Sequence, residues 1–79
     1  IDEQLLELLA KRMRISREIG VYKKEHNMPI LQSPRYSEIL EKRSNMGEQM
    51  DLSTEFVKEI LKEIHEESVR QQMIIMNEQ

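Results

Sequence analysis

The sequence has no cysteine, and it has only two glycines and two prolines among its 79 residues. The absence of cysteine excludes disulfide bonds and thiolate metal sites. The shortage of glycine and proline, with 34% of residues charged, is typical of a helical protein with solvated faces. A chain of this length forms one domain at most, and it often needs a partner because its own core is small.

Several functional classes lack their signature in this sequence. No apolar run approaches the length that crosses a membrane, and a formal net charge of −3 argues against general nucleic-acid binding. No glycine loop for a nucleotide, Ser-His-Asp arrangement or pair of catalytic acids can be argued. Where a di-metal bundle has Glu three residues before His, Lys23 precedes His26 and Lys62 precedes His65. We therefore expect no metal and interpret both histidines as surface or rim residues.

The chain is predicted to be all-α, with three helices in the order long, short, long. The first covers residues 1 to about 25 and is followed by a loop that contains Asn27 and Pro29. Ser33 and Pro34 are typical of the N-cap and first position of the second helix.

The second helix is predicted to end at about Asn45, with Gly47 as its C-cap. Its inner side is expected to carry apolar residues and one cation. These predicted inner residues are Tyr36, Ile39, Leu40, Arg43 and Met46.

The third helix should begin within two residues of Leu52.

The first helix shows no start within the sequence. Ile1 already belongs to its periodic pattern, and no initiator methionine precedes it. We therefore expect the helix to begin upstream, either because the chain is trimmed or because it is one domain of a longer multidomain enzyme.

Two cations share a stripe with the aliphatic residues of the first helix. Arg12 lies about 20° around the helix axis from Leu5, from Ile19 and from Lys23. The two cations are about 16 Å apart along the axis. A lone buried cation costs several kcal/mol unless a partner compensates it. Either acids elsewhere in the fold or an anionic ligand should therefore pair with Arg12 and Lys23.

The third helix has a matching polar interruption in its apolar stripe, at Ser68, Gln71 and Gln72. A hydrogen-bonding pocket inside a helical bundle would produce this pattern, and so would a buried structural network. Periodicity does not separate Gln71 from Gln72, since both could turn inward. Gly20 in the first helix either permits close approach of a helix or ligand or is simply tolerated.

Taken in order along the chain, these residues resemble the AroQ-type, all-helical chorismate mutases. The match covers nearly the whole chain, residues 1–79, as one domain. The segments that carry it are residues 1–12, Glu18-Ile19-Gly20, Lys23, Pro29-Ile30, Arg35 and residues 64–72.

The resemblance implies an intertwined homodimer in which the long first helices are shared between subunits. It implies a cytoplasmic enzyme of aromatic amino acid biosynthesis that converts chorismate to prephenate by a Claisen rearrangement. No cofactor, metal or covalent intermediate is expected, and neither nucleic acid nor a membrane is an expected partner. Enzymes of this type also occur fused to an earlier shikimate-pathway enzyme.

The resemblance also assigns site residues by position. Arg12 would hold a substrate carboxylate, and Lys23 would reach the ether oxygen and a carboxylate. Gln72 would donate a hydrogen bond to the same ether oxygen, and Arg35 and Ser68 would complete the pocket. Fixed donors of this kind favour the transition state as negative charge grows on the oxygen.

Three departures from the family pattern affect this assignment. Gln32 stands where the family often has an acid near the substrate hydroxyl, and Tyr36 stands where a glutamate commonly binds it. Gln32 is a candidate substitute. An arginine that family members supply across the dimer would lie upstream of Ile1, so we expect this chain either to be weakly active or to need a missing segment.

Two other functions fit the same pattern. An isochorismate-pyruvate lyase shares the fold and the pocket, and the identities of Gln32 and Tyr36 leave that alternative open. A non-catalytic helical dimerisation or regulatory module would turn over neither substrate.

Overall fold

The computed structural model describes residues 1–30 and 36–78 of the chain. These residues form α1 (Asp2–Glu25), α2 (Tyr36–Gln49) and α3 (Thr54–Asn77), and no strand occurs within the two ranges. The prediction of an all-α protein with a long, a short and a long helix is confirmed. Within the same ranges, no helix combines the length and apolarity that a membrane crossing needs.

The helices belong to two compact units. In the first unit α1 packs on the part of α3 from residue 65 onward, and we call this contact the first seam. In the second unit α2 packs on the part of α3 up to residue 64, and we call this contact the second seam. The predicted start of the second helix, at Ser33 and Pro34, lies outside the described residues.

Small residues of α1 form the first seam. Ser16 is only 5% exposed and Gly20 is buried. A Cβ added to Gly20 would lie 3.1 Å from the Gln72 Cα and 3.3 Å from the Ile75 Cβ. Gly20 is therefore a point where two helices approach closely, which confirms one of the two alternatives that the sequence left open.

The expectation that the aliphatic stripe of α1 packs inward needs a correction for the single chain. Leu5 is 54%, Ile15 46% and Ile19 42% exposed, and Arg12 is exposed with them. The face against α3 contains Ser16 and Gly20, each one position later, which is about 100° around the helix. Close approach of two backbones at small residues decides which face packs here, rather than apolar side-chain volume.

The second seam is formed in the same way. Ser44 is 1% exposed and Gly47 is buried, whereas Ile39 and Met46 of the predicted inner side are 40% and 49% exposed. A Cβ added to Gly47 would lie 2.6 Å from Val57 Cγ2. The packed face of α2 is thus again centred on small residues. The predicted inner side is wrong at Ile39 and Met46 and also at Arg43, which is exposed.

The prediction that Gly47 caps α2 is also wrong, because the helix continues to Gln49. The left-handed residue that ends it is Asp51, with φ of 63°. The Leu52 N–H donates to the Gly47 carbonyl at 2.9 Å and the Asp51 N–H donates to the Glu48 carbonyl at 3.1 Å. This pair of bonds is a Schellman motif, which satisfies the last carbonyls of a helix.

α1 ends with the same motif. Asn27 has φ of 53°. The Met28 N–H donates to the Lys23 carbonyl at 2.8 Å, and the Asn27 N–H donates to the Lys24 carbonyl at 3.3 Å. Asn27 is therefore the residue that ends α1, in agreement with its predicted role as a breaker, since asparagine tolerates positive φ better than most residues.

α3 begins at Thr54, inside the predicted window. The Ser53 hydroxyl accepts a hydrogen bond from the Phe56 N–H at 3.4 Å, so Ser53 is the N-cap. The long continuous α3 supplies one wall of each seam.

Candidate active site

Lys23 and Gln72 meet in the first seam. The Lys23 Nζ donates a hydrogen bond to Gln72 Oε1 at 2.9 Å. Gln72 is only 7% exposed and Lys23 is half-buried. Two residues that the family resemblance assigned to the same substrate oxygen are therefore in direct contact.

The Lys23–Gln72 contact continues into a row of polar groups along the seam. The Gln72 Nε2 donates to Ser68 Oγ at 3.4 Å. The Ser68 and Ser16 hydroxyl oxygens are 2.6 Å apart. The Ser16 hydroxyl also donates to the Arg12 carbonyl at 3.0 Å. Each polar group in this part of the seam thus has a partner, which removes much of the cost of burying it.

Proton counting gives this row a direction. A serine hydroxyl has one proton to donate. The Ser16 proton is directed to the Arg12 carbonyl, so Ser68 must be the donor in the bond between the two hydroxyls. Ser68 then offers a lone pair to the Gln72 Nε2. Every bond therefore runs the same way, from Lys23 through Gln72, Ser68 and Ser16 to Arg12.

The same reasoning fixes the Gln72 amide. An ammonium group can only donate, so the amide oxygen must face Lys23 and the amide nitrogen must face Ser68. Nε2 has two protons and Lys23 has three, and the bonds of the seam need one from each. Both groups therefore keep donors for an anionic guest.

A second set of contacts lies beside this row. Arg17 Nη1 donates to Gln71 Oε1 at 3.3 Å, and Gln71 Nε2 donates to Glu67 Oε2 at 2.7 Å. Glu67 also pairs with Arg70. Both glutamines that periodicity left undecided therefore turn toward α1, but Gln72 is buried on Lys23 whereas Gln71 is half-buried on Arg17.

Among the described residues, the contact that joins Arg12 to the seam is made by its backbone. Its carbonyl accepts the Ser16 hydroxyl, whereas its side chain is exposed on the aliphatic side of α1. The substrate-binding role of the Arg12 guanidinium stays a prediction. Arg35 and Gln32 lie outside the described residues, and Tyr36 is half-buried as the first residue of α2.

The two histidines differ in exposure. His26 is exposed, its ring stacks on Tyr22 with centroids 4.1 Å apart, and its Nδ1 is 2.8 Å from the Tyr22 carbonyl oxygen. His65 is half-buried. Among the residues that the structure describes, no group of three acidic or histidine side chains could hold a metal ion.

Sequence reasoning missed Ser16 and Arg17. Arg17 was one of several cations along α1 and nothing in its spacing marked it. Ser16 did have a signal, because it lies four residues before Gly20 and two small residues at this spacing mark a face for close helix packing. Such a face is not found by looking for the periodicity of apolar residues.

Comparison with known proteins gives a family match for this chain. The family model described as chorismate mutase type II matches residues 1–73. The bifunctional chorismate mutase/prephenate dehydratase of Buchnera aphidicola subsp. Schizaphis graminum is 35% identical over 77 residues, which are 98% of this chain and 20% of that protein.

Two further relatives are named T-protein. The one from Enterobacter agglomerans is 29% identical over 68 residues and the one from Haemophilus influenzae is 28% identical over 68 residues. Each of these matches covers 86% of this chain and 18% of the relative. The chain thus spans about a fifth of the length of these relatives. No solved structure matches it significantly. Because the family model covers nearly the whole sequence, the chain belongs to the chorismate mutase type II family.

Proposed function

We propose that this helical domain converts chorismate to prephenate in aromatic amino acid biosynthesis. The observation that carries the proposal is the Lys23–Gln72 contact, 2.9 Å long, inside the part of the chain that matches the family. Chorismate has two carboxylates, and a cation held among neutral groups is suited to an anionic guest.

Lys23 and Gln72 act on the bond that breaks. As the C–O bond of chorismate opens, negative charge grows on the ether oxygen. The remaining N–H groups of Lys23 and Gln72 are the donors that would stabilise this charge. Because both side chains are already held by the seam, little reorganisation is needed during the reaction, and such preorganised donors contribute most of the rate enhancement in many enzymes.

The partner that the structure gives Lys23 is a neutral amide rather than a carboxylate. A carboxylate would neutralise the ammonium and compete with the substrate. With an amide partner, Lys23 is oriented but its charge stays available for a substrate carboxylate and the ether oxygen. Confinement of chorismate in its folded, pseudo-diaxial conformer would add an entropic contribution.

The remaining site residues are assigned by their positions in the family pattern. Ser68 lies next to Gln72 in the seam, and we assign it to the pocket wall. Arg12 and Arg35 would bind the substrate carboxylates. Gln32 is proposed to bind the substrate hydroxyl in place of the family's acid.

A homodimer is the second part of the proposal. Leu5, Leu8 and Ile19 are 54%, 62% and 42% exposed in the single chain, on the same side of α1 as Arg12. Burial of apolar area of this kind is what drives association. A second copy packed on this side would cover the stripe and surround Arg12, whose guanidinium could then face the substrate.

We further propose that the domain is one part of a longer cytoplasmic enzyme. The support is that its relatives are about five times its length, and that one of them is named as bifunctional. Fusion to another enzyme of the same pathway would fit that name.

The activity is tested by mixing the chain with chorismate and with isochorismate in separate assays. Formation of prephenate from chorismate is expected, and the chain should be tested both alone and with its native upstream residues. Salicylate plus pyruvate from isochorismate would reassign the reaction. Failure to turn over either substrate, even with the upstream residues restored, would leave a non-catalytic helical module.

The dimer is tested by analytical ultracentrifugation of the same preparations. We expect twice the mass of the chain at micromolar concentration. A compact, stable monomer at that concentration would contradict the proposed assembly, and it would leave the catalytic assignment of Lys23 to be judged by the assays alone.

A further inference from the structure

Ser16 belongs to the polar row of the first seam but has no assigned role toward the substrate. It is 5% exposed, and it lies on α1 directly opposite Ser68, with the two oxygens 2.6 Å apart. No part of the reaction described above uses Ser16. Its position nevertheless controls what the other groups of the row can do.

Ser16 acts on its neighbours through the direction of the hydrogen bonds that its hydroxyl makes. The Ser16 hydroxyl donates to the Arg12 carbonyl, so toward Ser68 it can only accept. Ser68 must therefore direct its single proton to Ser16 and its lone pair to the Gln72 Nε2. This leaves the Gln72 Oε1 on Lys23 and keeps the second Nε2 proton for a guest.

Removal of the Ser16 oxygen would release this constraint. The Ser68 hydroxyl would be free to rotate, and its lone pair would no longer be held on the Gln72 Nε2. The Gln72 amide would then be fixed by Lys23 alone. Its remaining N–H group could turn away from the point where the ether oxygen is expected.

We propose that Ser16 is a positioning residue that holds the Gln72 amide nitrogen in place through the Ser68 hydroxyl, while Lys23 holds the amide oxygen. Its effect on catalysis rests on the proposed function, whereas its effect on the amide does not. Ser16 itself is not expected to touch the substrate.

The test begins with Ser16→Ala in the full chain. Loss of one neutral hydrogen bond that orients a donor should lower kcat about three- to tenfold, with KM changed less than about twofold. The matched control is Ser44→Ala. Ser44 is 1% exposed and its hydroxyl donates at 2.7 Å to the carbonyl of Leu40 on its own helix, so it shares the burial and local bond of Ser16 but belongs to the other seam. Ser44→Ala should change stability and leave kcat unaltered.

A double-mutant cycle distinguishes an effect of Ser16 through Ser68 from a general disturbance of the helix packing. If Ser16 acts through Ser68, then Ser16→Ala should have no further effect on kcat in a Ser68→Ala background. Losses that multiply would mean that the two serines act independently, and this would overturn the proposal.

A measurement without substrate completes the test. The side-chain NH₂ resonances of Gln72, observed by ¹⁵N NMR, should shift in Ser16→Ala and stay in place in Ser44→Ala. If the wild-type chain is active but Ser16→Ala keeps its kcat, the proposal fails whatever the spectrum shows. If the wild-type chain is inactive, the proposed function fails, and the Gln72 resonances alone decide whether Ser16 orients the amide.

Discussion

The two seams of this chain are built alike and differ in what they enclose. Both use a serine and a glycine to bring helices together, Ser16 with Gly20 and Ser44 with Gly47. In the second seam the glycine faces Val57, and the Ser44 hydroxyl donates to a carbonyl of its own helix. In the first seam the serine bonds across to the other helix and the row ends on a cation.

The cations of the two seams show the same contrast. Lys58 pairs with the carboxylate of Glu41 at 3.8 Å, and the two side chains are 46% and 69% exposed. Such surface pairs contribute little to stability. Lys23 is half-buried on an amide. A seam that only had to hold helices together could resemble the second one, and this contrast supports the proposal that the first seam binds a ligand.

The largest expected difference between the seams comes from removing their lysines. Lys23→Ala should lower kcat/KM for chorismate about 10²- to 10³-fold, as is typical for loss of one transition-state donor. The helical circular dichroism should be nearly unchanged. Lys58→Ala is the control, and it should keep kcat/KM within about twofold of the wild-type value. Equal effects of the two variants would remove the distinction between the seams.

A comparison within the first seam uses the neighbouring glutamines. In Gln72→Glu the introduced carboxyl group can donate to the ether oxygen only when protonated. Turnover should therefore fall about 10²-fold near pH 7.5 and recover as the pH is lowered toward the ordinary glutamic acid pKa of about 4.3. Steady-state kinetics between pH 5 and 8 would measure this.

The control for that experiment is Gln71→Glu, because Gln71 bonds to Arg17 rather than Lys23. Its pH profile should follow that of the wild-type protein. A Gln72→Glu variant with a flat profile would refute the donor role of Gln72.

The two glycines should separate activity from stability. Gly20→Ala places a methyl group 3.1 Å from the backbone of Gln72, so it should displace that residue and lower kcat about tenfold. Gly47→Ala meets the Val57 side chain at 2.6 Å and should lower the free energy of unfolding by about 1–2 kcal/mol without changing the kcat of folded protein. Chemical denaturation and initial-rate assays on both variants measure the two effects, and an inactive Gly47→Ala protein would contradict this division.

The smallest expected effect compares the two helix ends. Asn27 and Asp51 both have positive φ, which glycine adopts more easily. Asn27→Gly and Asp51→Gly should each raise the free energy of unfolding by about 0.5 kcal/mol or less. Thermal unfolding would detect this, and destabilisation by either substitution would show that its side chain has a further role at the helix end.

The number and order of the helices could be predicted from the sequence because they depend on local signals. The shortage of glycine and proline, the loop at Asn27 and the expected helix start near Leu52 were sufficient for this. The packed faces could not be predicted, because apolar periodicity marks Leu5 and Ile19 whereas the contact is made by Ser16 and Gly20. Gly47 was misread for the same reason, since a glycine can serve close packing as well as a helix end.

The candidate site could be predicted only in part from the sequence. The polar interruptions at Lys23, Ser68 and Gln72 were visible, and the family resemblance assigned roles to them. The direction of the hydrogen bonds was not visible, because it depends on the Ser16 hydroxyl reaching Ser68 on another helix. Such contacts join residues that are 52 positions apart and leave no local pattern.

Within the described residues, no apolar side chain of the single chain is fully buried. If a second copy supplies the missing cover, folding and assembly become one equilibrium, and the melting temperature must rise with protein concentration. Each dilution would then shift material toward unfolded subunits, so the proposed activity per chain would depend on how much of this protein a cell makes.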